Sequence, residues 1–241
     1  MKVPVVRGVI DRRVLVNFQV EPSVLRRVLP PPFRPKLAHG KGIAGVCLIR
    51  LSQVRPRLVP RFLGISSENA AHRVAVEWDS TEGPKEGVYI PRRDTSSRLN
   101  VMAGGRVFPG EHNLANFEVR EEGNDLSVSL CSNDGKTRLT VEGRITDHLP
   151  ATSIFGSLAE ASAFFERGAL GYSSTLRPGE FDGLELRTFE WRVEPLEVKR
   201  VTSSFFEDTD LFPPGSVEFD CALLMRKIDH EWHSREPLIC G

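Results

Sequence analysis

Two apolar runs near the amino terminus decide the fold: VLVNFQV at residues 14–20 and IAGVCLIRL at residues 43–51. Both runs are rich in β-branched residues and are bounded by glycine or proline, a pattern typical of β-strands. Between them, residues 21–30 read EPSVLRRVLP. Proline in the first turn and a single apolar stripe predict a short helix here, and the prolines at 30–32 end it.

Beyond residues 14–51, the same pattern of short apolar runs separated by turns continues to residue 226. The Asp-Gly pair in SNDGK, at residues 132–136, predicts a hairpin turn. A second helix is predicted at residues 158–167, with Gly168 after its last turn. About ten strands against two helices favour a β-rich α+β fold, a single large antiparallel barrel or cone with the helices packed outside. The further strands are predicted at residues 73–78, 87–91, 117–120, 126–131, 138–145, 185–193, 196–203 and 217–226.

The composition is that of an ordinary globular protein, with 40% hydrophobic and 27% charged residues among 241. No linker or repeat divides the chain, so we expect a single domain over residues 1–241. Lysine plus arginine and aspartate plus glutamate both number 32. Nucleic-acid binding needs a basic excess that displaces counterions from phosphates, so no nucleic-acid partner is expected.

The cysteines and the apolar runs indicate a cytoplasmic protein. Cys47, Cys131, Cys221 and Cys240 form no CxxC or CxxH pattern and are expected to be reduced thiols. No apolar run approaches the length of a membrane span, and charged residues interrupt the first sixteen positions, so we expect no membrane contact and no signal sequence. The segment HEWH at residues 230–233 lacks the HExxH spacing; it is interpreted as a solvated strand end with Trp232 packed down, and neither metal nor cofactor is predicted.

The richest candidate for chemistry is GGRVFPGEHNLAN at residues 104–116. Its glycines let the backbone approach a ligand, and its polar side chains can accept, donate or relay a proton. The alternative is an ordinary surface loop between two strands. The candidate side chains in this segment are Arg106, Glu111, His112 and Asn113.

A second candidate is SSENAAHR at residues 66–73, which runs into a predicted strand. If the strand extends backward, Glu68 and His72 alternate onto one face, and a carboxylate and an imidazole share the barrel interior. The alternative is that both side chains lie on the solvent side of the strand.

The order of these features resembles acetoacetate decarboxylase, and the resemblance covers nearly the whole chain. The segments FFERGALGYS (164–173) and LLMR (223–226) resemble an uncharacterised bacterial branch of that superfamily, the YqjF-like domain of unknown function. The features that carry the wider resemblance are Arg12 before a strand, residues 21–30, residues 42–51, Glu68, Tyr89, Gly105-Arg106 and Pro109.

The resemblance implies a barrel around a partly apolar cavity, in which the decarboxylases use a lysine to form a Schiff base with a β-keto acid. The lysine pair of the family falls at His112 and Asn113 in this sequence, and neither residue is an amine. Arg12 or Arg13 matches an arginine near the cavity, and Glu68 matches one of two glutamates. Acetoacetate decarboxylase activity is therefore not expected. Superfamily members also suggest a homo-oligomer, whose stoichiometry the sequence leaves open.

Two functions follow as alternatives. The preferred one is binding of a small, acidic and partly apolar metabolite in the cavity. The other is a lysine-independent acid–base enzyme that enolises, hydrates or dehydrates a small keto or hydroxy acid, which requires Glu68 and His112 to converge. No catalytic residue is assigned. The predicted ligand-binding residues are Arg12, Glu68, His72, Arg106, Glu111, His112 and Asn113.

Overall fold

A computed structural model describes residues 4–105 and 108–240. Within this part of the chain, three α-helices lie against thirteen strands. The helices are α1 (Pro22–Val28), α2 (Arg98–Ala103) and α3 (Leu158–Glu166). The strands are β1 (Val6–Val20), β2 (Arg34–Pro35), β3 (Leu37–Ala38), β4 (Lys41–Pro56), β5 (Ile65–Ser80), β6 (Gly83–Thr95), β7 (His112–Glu122), β8 (Asp125–Ser132), β9 (Arg138–Ile145), β10 (Leu170–Ser174), β11 (Glu180–Thr188), β12 (Glu194–Ser203) and β13 (Val217–Ile239).

All thirteen strands belong to one sheet, which closes on itself because β11 pairs with β13 and β6 pairs with β5. The long central strands β13, β1, β4 and β5 are antiparallel neighbours. Closure leaves few unpaired strand edges, which stabilises a β-rich chain against edge-to-edge association. The β-rich, ring-shaped fold predicted from the sequence is confirmed.

The central strands are buried on both faces, and each face carries its own core. One face contributes Val14, Val16 and Leu48 to a cluster that continues into β8, β9 and β12. The opposite face contributes Leu15 and Ile49 to a second cluster that α3 covers. This double burial explains why β1 and β4 read as continuous apolar runs instead of alternating polar and apolar residues.

Three local predictions, two helices and a hairpin, are confirmed. Helix α1 begins at Pro22 and α3 begins after Ser157, whose side chain accepts a hydrogen bond from the Glu160 backbone N–H. The predicted hairpin joins β8 to β9, and Gly135 occupies the left-handed region of backbone conformation with φ +71°.

The sheet is mixed, however, and not purely antiparallel. Strand β6 runs parallel to both β7 and β10. Parallel neighbours need a crossover connection, and α2 lies in the crossover from β6 to β7. The sequence pattern missed α2 because its six residues include no buried side chain and so show no apolar stripe.

The interpretation of residues 230–233 as a solvated strand end is wrong. Strand β13 continues to Ile239, and it pairs with β11 through this segment. His230 is fully buried, while Trp232 lines a cavity. The sequence HEWH is mostly polar and therefore did not predict a buried strand. Pairing on both sides buries the backbone of this segment regardless of side-chain polarity.

Candidate functional site

A cavity of about 370 Å³ lies on the face of the central strands that α3 covers. Its walls are mainly apolar and include Leu15, Ile49 and Ala75 from the sheet, Phe165 from α3 and Leu186 from β11. A concave, mostly apolar site with a few polar groups is the usual form of a small-molecule pocket. This cavity is therefore the candidate functional site.

The register of the sheet places a row of side chains across the cavity wall. Cys47 on β4 lies opposite Ala71 on β5, Ala71 lies opposite Arg93 on β6, and Arg93 lies opposite His112 on β7. Residues directly opposite one another in a sheet point to the same face. Chemistry-bearing side chains from three separate strands thus meet at one surface of the cavity.

Four arginines line this cavity: Arg13, Arg55, Arg73 and Arg93. Arg55 donates hydrogen bonds to the backbone carbonyl oxygens of Val59 and Gln53. Arg13 Nε donates a hydrogen bond of 3.3 Å to Cys47 Sγ. The Arg73 guanidinium donates to the Asn17 side-chain carbonyl and lies 5.2 Å from the centre of the Phe165 ring. Arg93 Nη2 donates to the Ser173 hydroxyl at 3.2 Å. Each guanidinium is thus held in place by neutral groups.

Within residues 4–105 and 108–240, none of these four arginines forms an ion pair with a carboxylate. The Nε atoms of Arg73 and Arg93 are also buried without a hydrogen-bond partner there. Burial lowers the pKa of both side chains to about 10, which still leaves them cationic at neutral pH. Buried cations without counterions are costly, so the site is electrostatically complementary to an anion.

His112 joins the arginines at the cavity wall. Its Nδ1 lies 3.1 Å from the backbone carbonyl oxygen of Gly110. Burial, and secondarily the charge of Arg93, lower the pKa of His112 to about 4. The imidazole is therefore neutral at pH 7.

A neutral polar cluster lines the cavity near α2. Thr95 Oγ1 donates to Asn69 Oδ1 at 2.7 Å, and Asn100 Nδ2 donates to Ser67 Oγ at 3.3 Å. Ser67, Asn69 and Asn100 line the cavity itself. These groups largely satisfy one another, so we interpret them as the polar support of the wall.

The predicted residues Arg12 and Glu68 lie on the opposite face of the sheet from the cavity. Arg12 is fully buried and bonds Glu68 at 2.6 Å and Glu121 at 2.7 Å. Arg50 Nε completes the cluster with a 2.5 Å contact to Glu68. Because consecutive strand residues alternate between faces, it is Arg13, and not Arg12, that lines the cavity.

His72 shares the face of Glu68, as its spacing predicted, but it packs inside the protein and does not line the cavity. Its ring centre lies 4.7 Å from that of Phe205, and neither ring nitrogen has a hydrogen-bond partner among the described residues. Burial, and secondarily the charge of Arg92, lower its pKa to about 3. The contacts of His72 are those of a core residue.

The candidate residues of segment 104–116 also differ in whether they line the cavity. His112 lines the cavity, Asn113 Nδ2 donates to the Arg93 backbone carbonyl at 3.0 Å, and Glu111 is exposed. Arg106 lies outside the described residues. Glu68 and His112 therefore do not converge on the cavity, while His112 and Arg93 do.

Sequence reasoning did not select Arg73 and Arg93, although a signal was present. Each interrupts a stretch that forms a strand, and arginine is rarely buried in a strand unless it is paired.

One lysine does line the cavity, although none occurs at the position implied by the resemblance. Lys36 Nζ lies 2.7 Å from Glu86 Oε2 and 4.4 Å from the centre of the Phe164 ring. Its amine is already engaged by these two contacts.

Comparison with solved structures identifies the fold. The fold is similar to acetoacetate decarboxylase from Legionella pneumophila (TM-score 0.61, 12% identity, 98% of this chain and 87% of the other). It is similar to the enduracididine biosynthesis enzyme MppR (TM-score 0.63, 13% identity, 99% of this chain and 90% of the other). It is also similar to an acetoacetate decarboxylase-like enzyme from Sphingomonas wittichii RW1, with a TM-score of 0.56 and 11% identity over 100% of this chain and 94% of the other. The chain therefore has the acetoacetate decarboxylase-like fold.

The chain belongs to the DUF2071 family, described as an uncharacterized conserved protein (COG2071), whose profile matches residues 10–224. No curated protein matches the sequence. Among the described residues, no helix has the length and apolar character needed to cross a membrane.

Proposed function

We propose that this protein binds a small carboxylate with a short apolar portion in the cavity lined by Arg13, Arg73 and Arg93. The observation that carries the proposal is that four arginines, these three and Arg55, line one cavity without a carboxylate partner among the described residues. Arginine offers a planar fork of N–H donors that matches the two oxygens of a carboxylate. A bound anion would also supply the counterion that these buried cations lack.

The size and walls of the cavity fit such a ligand. A volume of about 370 Å³ lies at the lower end of the range for small-molecule pockets and accommodates a metabolite of a few carbon atoms. Leu15, Ile49 and Phe165 provide apolar contact for its carbon skeleton. Among proteins of similar fold, MppR has been solved in complex with pyruvate, a small carboxylate. At 13% identity the similarity to MppR supports only the shared fold. The proposed ligand class is supported by the cavity arginines of this chain.

Calorimetric titration with butanoate and pyruvate tests the proposal. We expect saturable binding to the wild-type protein and a loss of about tenfold or more in Arg93→Gln, because a charge-assisted hydrogen bond is removed. Arg144→Gln is the matched control, since Arg144 is exposed and pairs with Asp125 far from the cavity wall. Absence of binding to the wild-type protein, or equal affinities in wild type and Arg93→Gln, would refute the proposal.

The acid–base alternative lacks its required pair. Glu68 is held by Arg12 and Arg50 on the opposite face of the sheet. We therefore favour binding over acid–base catalysis, and the absence of a lysine at residues 112 and 113 argues against Schiff-base decarboxylation.

Three finer assignments complete the proposal. Segments 164–173 and 223–226 support placement in the YqjF-like branch. The four dispersed cysteines support a cytoplasmic location. Light scattering of the purified chain would test the homo-oligomer that the superfamily suggests.

A further inference from the structure

The imidazole of His112 is positioned beside Arg93 at the cavity wall. The two residues are register partners across the parallel β6–β7 pair. The backbone around His112 is also closely fitted: a Cβ atom added to Gly104 would lie only 2.6 Å from His112 Nδ1. The ring edge that carries Nδ1 is therefore packed against the chain.

The contact at Nδ1 determines which nitrogen carries the proton. Nδ1 lies 3.1 Å from the Gly110 carbonyl oxygen, and a carbonyl oxygen can only accept a hydrogen bond. Nδ1 must therefore be the donor. In a neutral imidazole the other nitrogen, Nε2, then has a lone pair and no hydrogen, so it can only accept.

Nε2 of His112 is free to meet a ligand. It makes no hydrogen bond to any residue within 4–105 or 108–240. Unlike both ring nitrogens of His72 and His230, it is not sealed from solvent. The cavity wall therefore presents donors at the arginines and, beside Arg93, an acceptor at His112 Nε2.

We propose that His112 Nε2 accepts a hydrogen bond from a hydroxyl group of the bound carboxylate, so that the preferred ligand is a small hydroxy acid and not the corresponding oxo acid. The inference rests on the proposed carboxylate binding and specifies its ligand class. An oxo group carries only acceptor lone pairs and would leave Nε2 unpaired in the complex. A site that binds a hydroxyl group through a buried partner discriminates strongly against an analogue that lacks it.

The charges of the cavity exclude the other common donor. An ammonium group could also donate to Nε2, but four guanidinium cations line the same cavity. Asp94, the only carboxylate among the described lining residues, is already paired with Arg92 at 2.7 Å. Like charges in a site of low dielectric constant repel strongly, which disfavours amino acids. The low pKa of His112 supports the assignment, since it keeps the ring neutral and accepting at pH 7.

The test compares matched four-carbon ligands by calorimetric titration at pH 7. The ligands are 2-hydroxybutanoate and 3-hydroxybutanoate, each as both enantiomers, with 2-oxobutanoate, 3-oxobutanoate and butanoate. We expect at least one hydroxy acid to bind roughly tenfold more tightly than its oxo counterpart and than butanoate. Equal or weaker binding of every hydroxy acid, with butanoate still bound, would overturn this inference alone. Absence of binding by every ligand would instead overturn the proposed carboxylate site and the inference with it.

Two variants separate the acceptor from the shape of the ring. His112→Phe keeps a planar ring without an acceptor, and we expect it to abolish the hydroxy-acid preference while butanoate binding remains. His112→Gln retains an acceptor oxygen and should keep part of the preference. The exposed His148 provides the control substitution His148→Phe. A full preference that persists in a folded His112→Phe protein, judged by its thermal midpoint and circular dichroism, would contradict the assignment.

Discussion

Replacing His72 with leucine should make the protein less sensitive to acid. His72 is fully buried against Phe205, and both its ring nitrogens lack hydrogen-bond partners in the described parts of the chain. Its pKa is lowered from an ordinary value of 6.5 to about 3. Between these two values the unfolded chain binds a proton at this position and the folded chain does not. Stability therefore falls as the pH decreases from about 6.5.

The magnitude follows from the same values. At pH 5, about 1.5 pH units below the ordinary pKa, the single proton on the unfolded chain costs about 2 kcal/mol of folding free energy. At pH 7 the same effect is only a few tenths of a kcal/mol. His72→Leu removes it, so the difference in unfolding free energy between pH 7 and pH 5 should shrink by about 2 kcal/mol. His112 and His230, with pKa values lowered to about 4, retain the remaining acid sensitivity.

Urea unfolding at pH 7, 6 and 5, followed by tryptophan fluorescence, measures this difference directly. The control is His148→Leu, because His148 is exposed. The reasoning is refuted if His72→Leu shows the same pH dependence as the wild-type protein. A variant that is more sensitive to acid than the wild type would refute it equally.

Three further predictions follow from the contacts. Borohydride reduction with a panel of β-keto acids should yield no covalent adduct by mass spectrometry; an adduct on Lys36, the cavity lysine bound to Glu86, would restore Schiff-base chemistry. Glu68→Gln should destabilise the protein by about 3 kcal/mol in urea unfolding, because it leaves buried Arg12 short of a counterion. The affinity for the carboxylate should be unchanged, and weaker binding would place Glu68 in the site. Gly110→Ala should weaken carboxylate binding in titrations, because its Cβ would lie 2.8 Å from Ser173 Cβ, beside the hydroxyl that Arg93 contacts. Gly123→Ala is its control, since it has a similar positive φ without crowding, and equal affinities in both variants would contradict the packing argument.

The sequence by itself determined the elements and the general fold. Proline at the start of α1 and the Asp-Gly hairpin before β9 are local signals, because the backbone conformation they favour depends on adjacent residues. Long β-branched runs in turn required a sheet that buries them. Helix α2 was missed because it is short and carries no buried side chain.

Only the tertiary structure decided which polar side chains meet. Strands β1 and β5 are buried on both faces, so no contrast between polar and apolar positions shows which face borders the cavity. Arg12 and Arg13 therefore looked equivalent in sequence, although one joins Glu68 and the other lines the cavity. The meeting of Arg93 and His112 depends on a parallel pairing across a crossover, which local sequence signals do not specify. The candidate site is thus a product of strand register, which long-range packing sets.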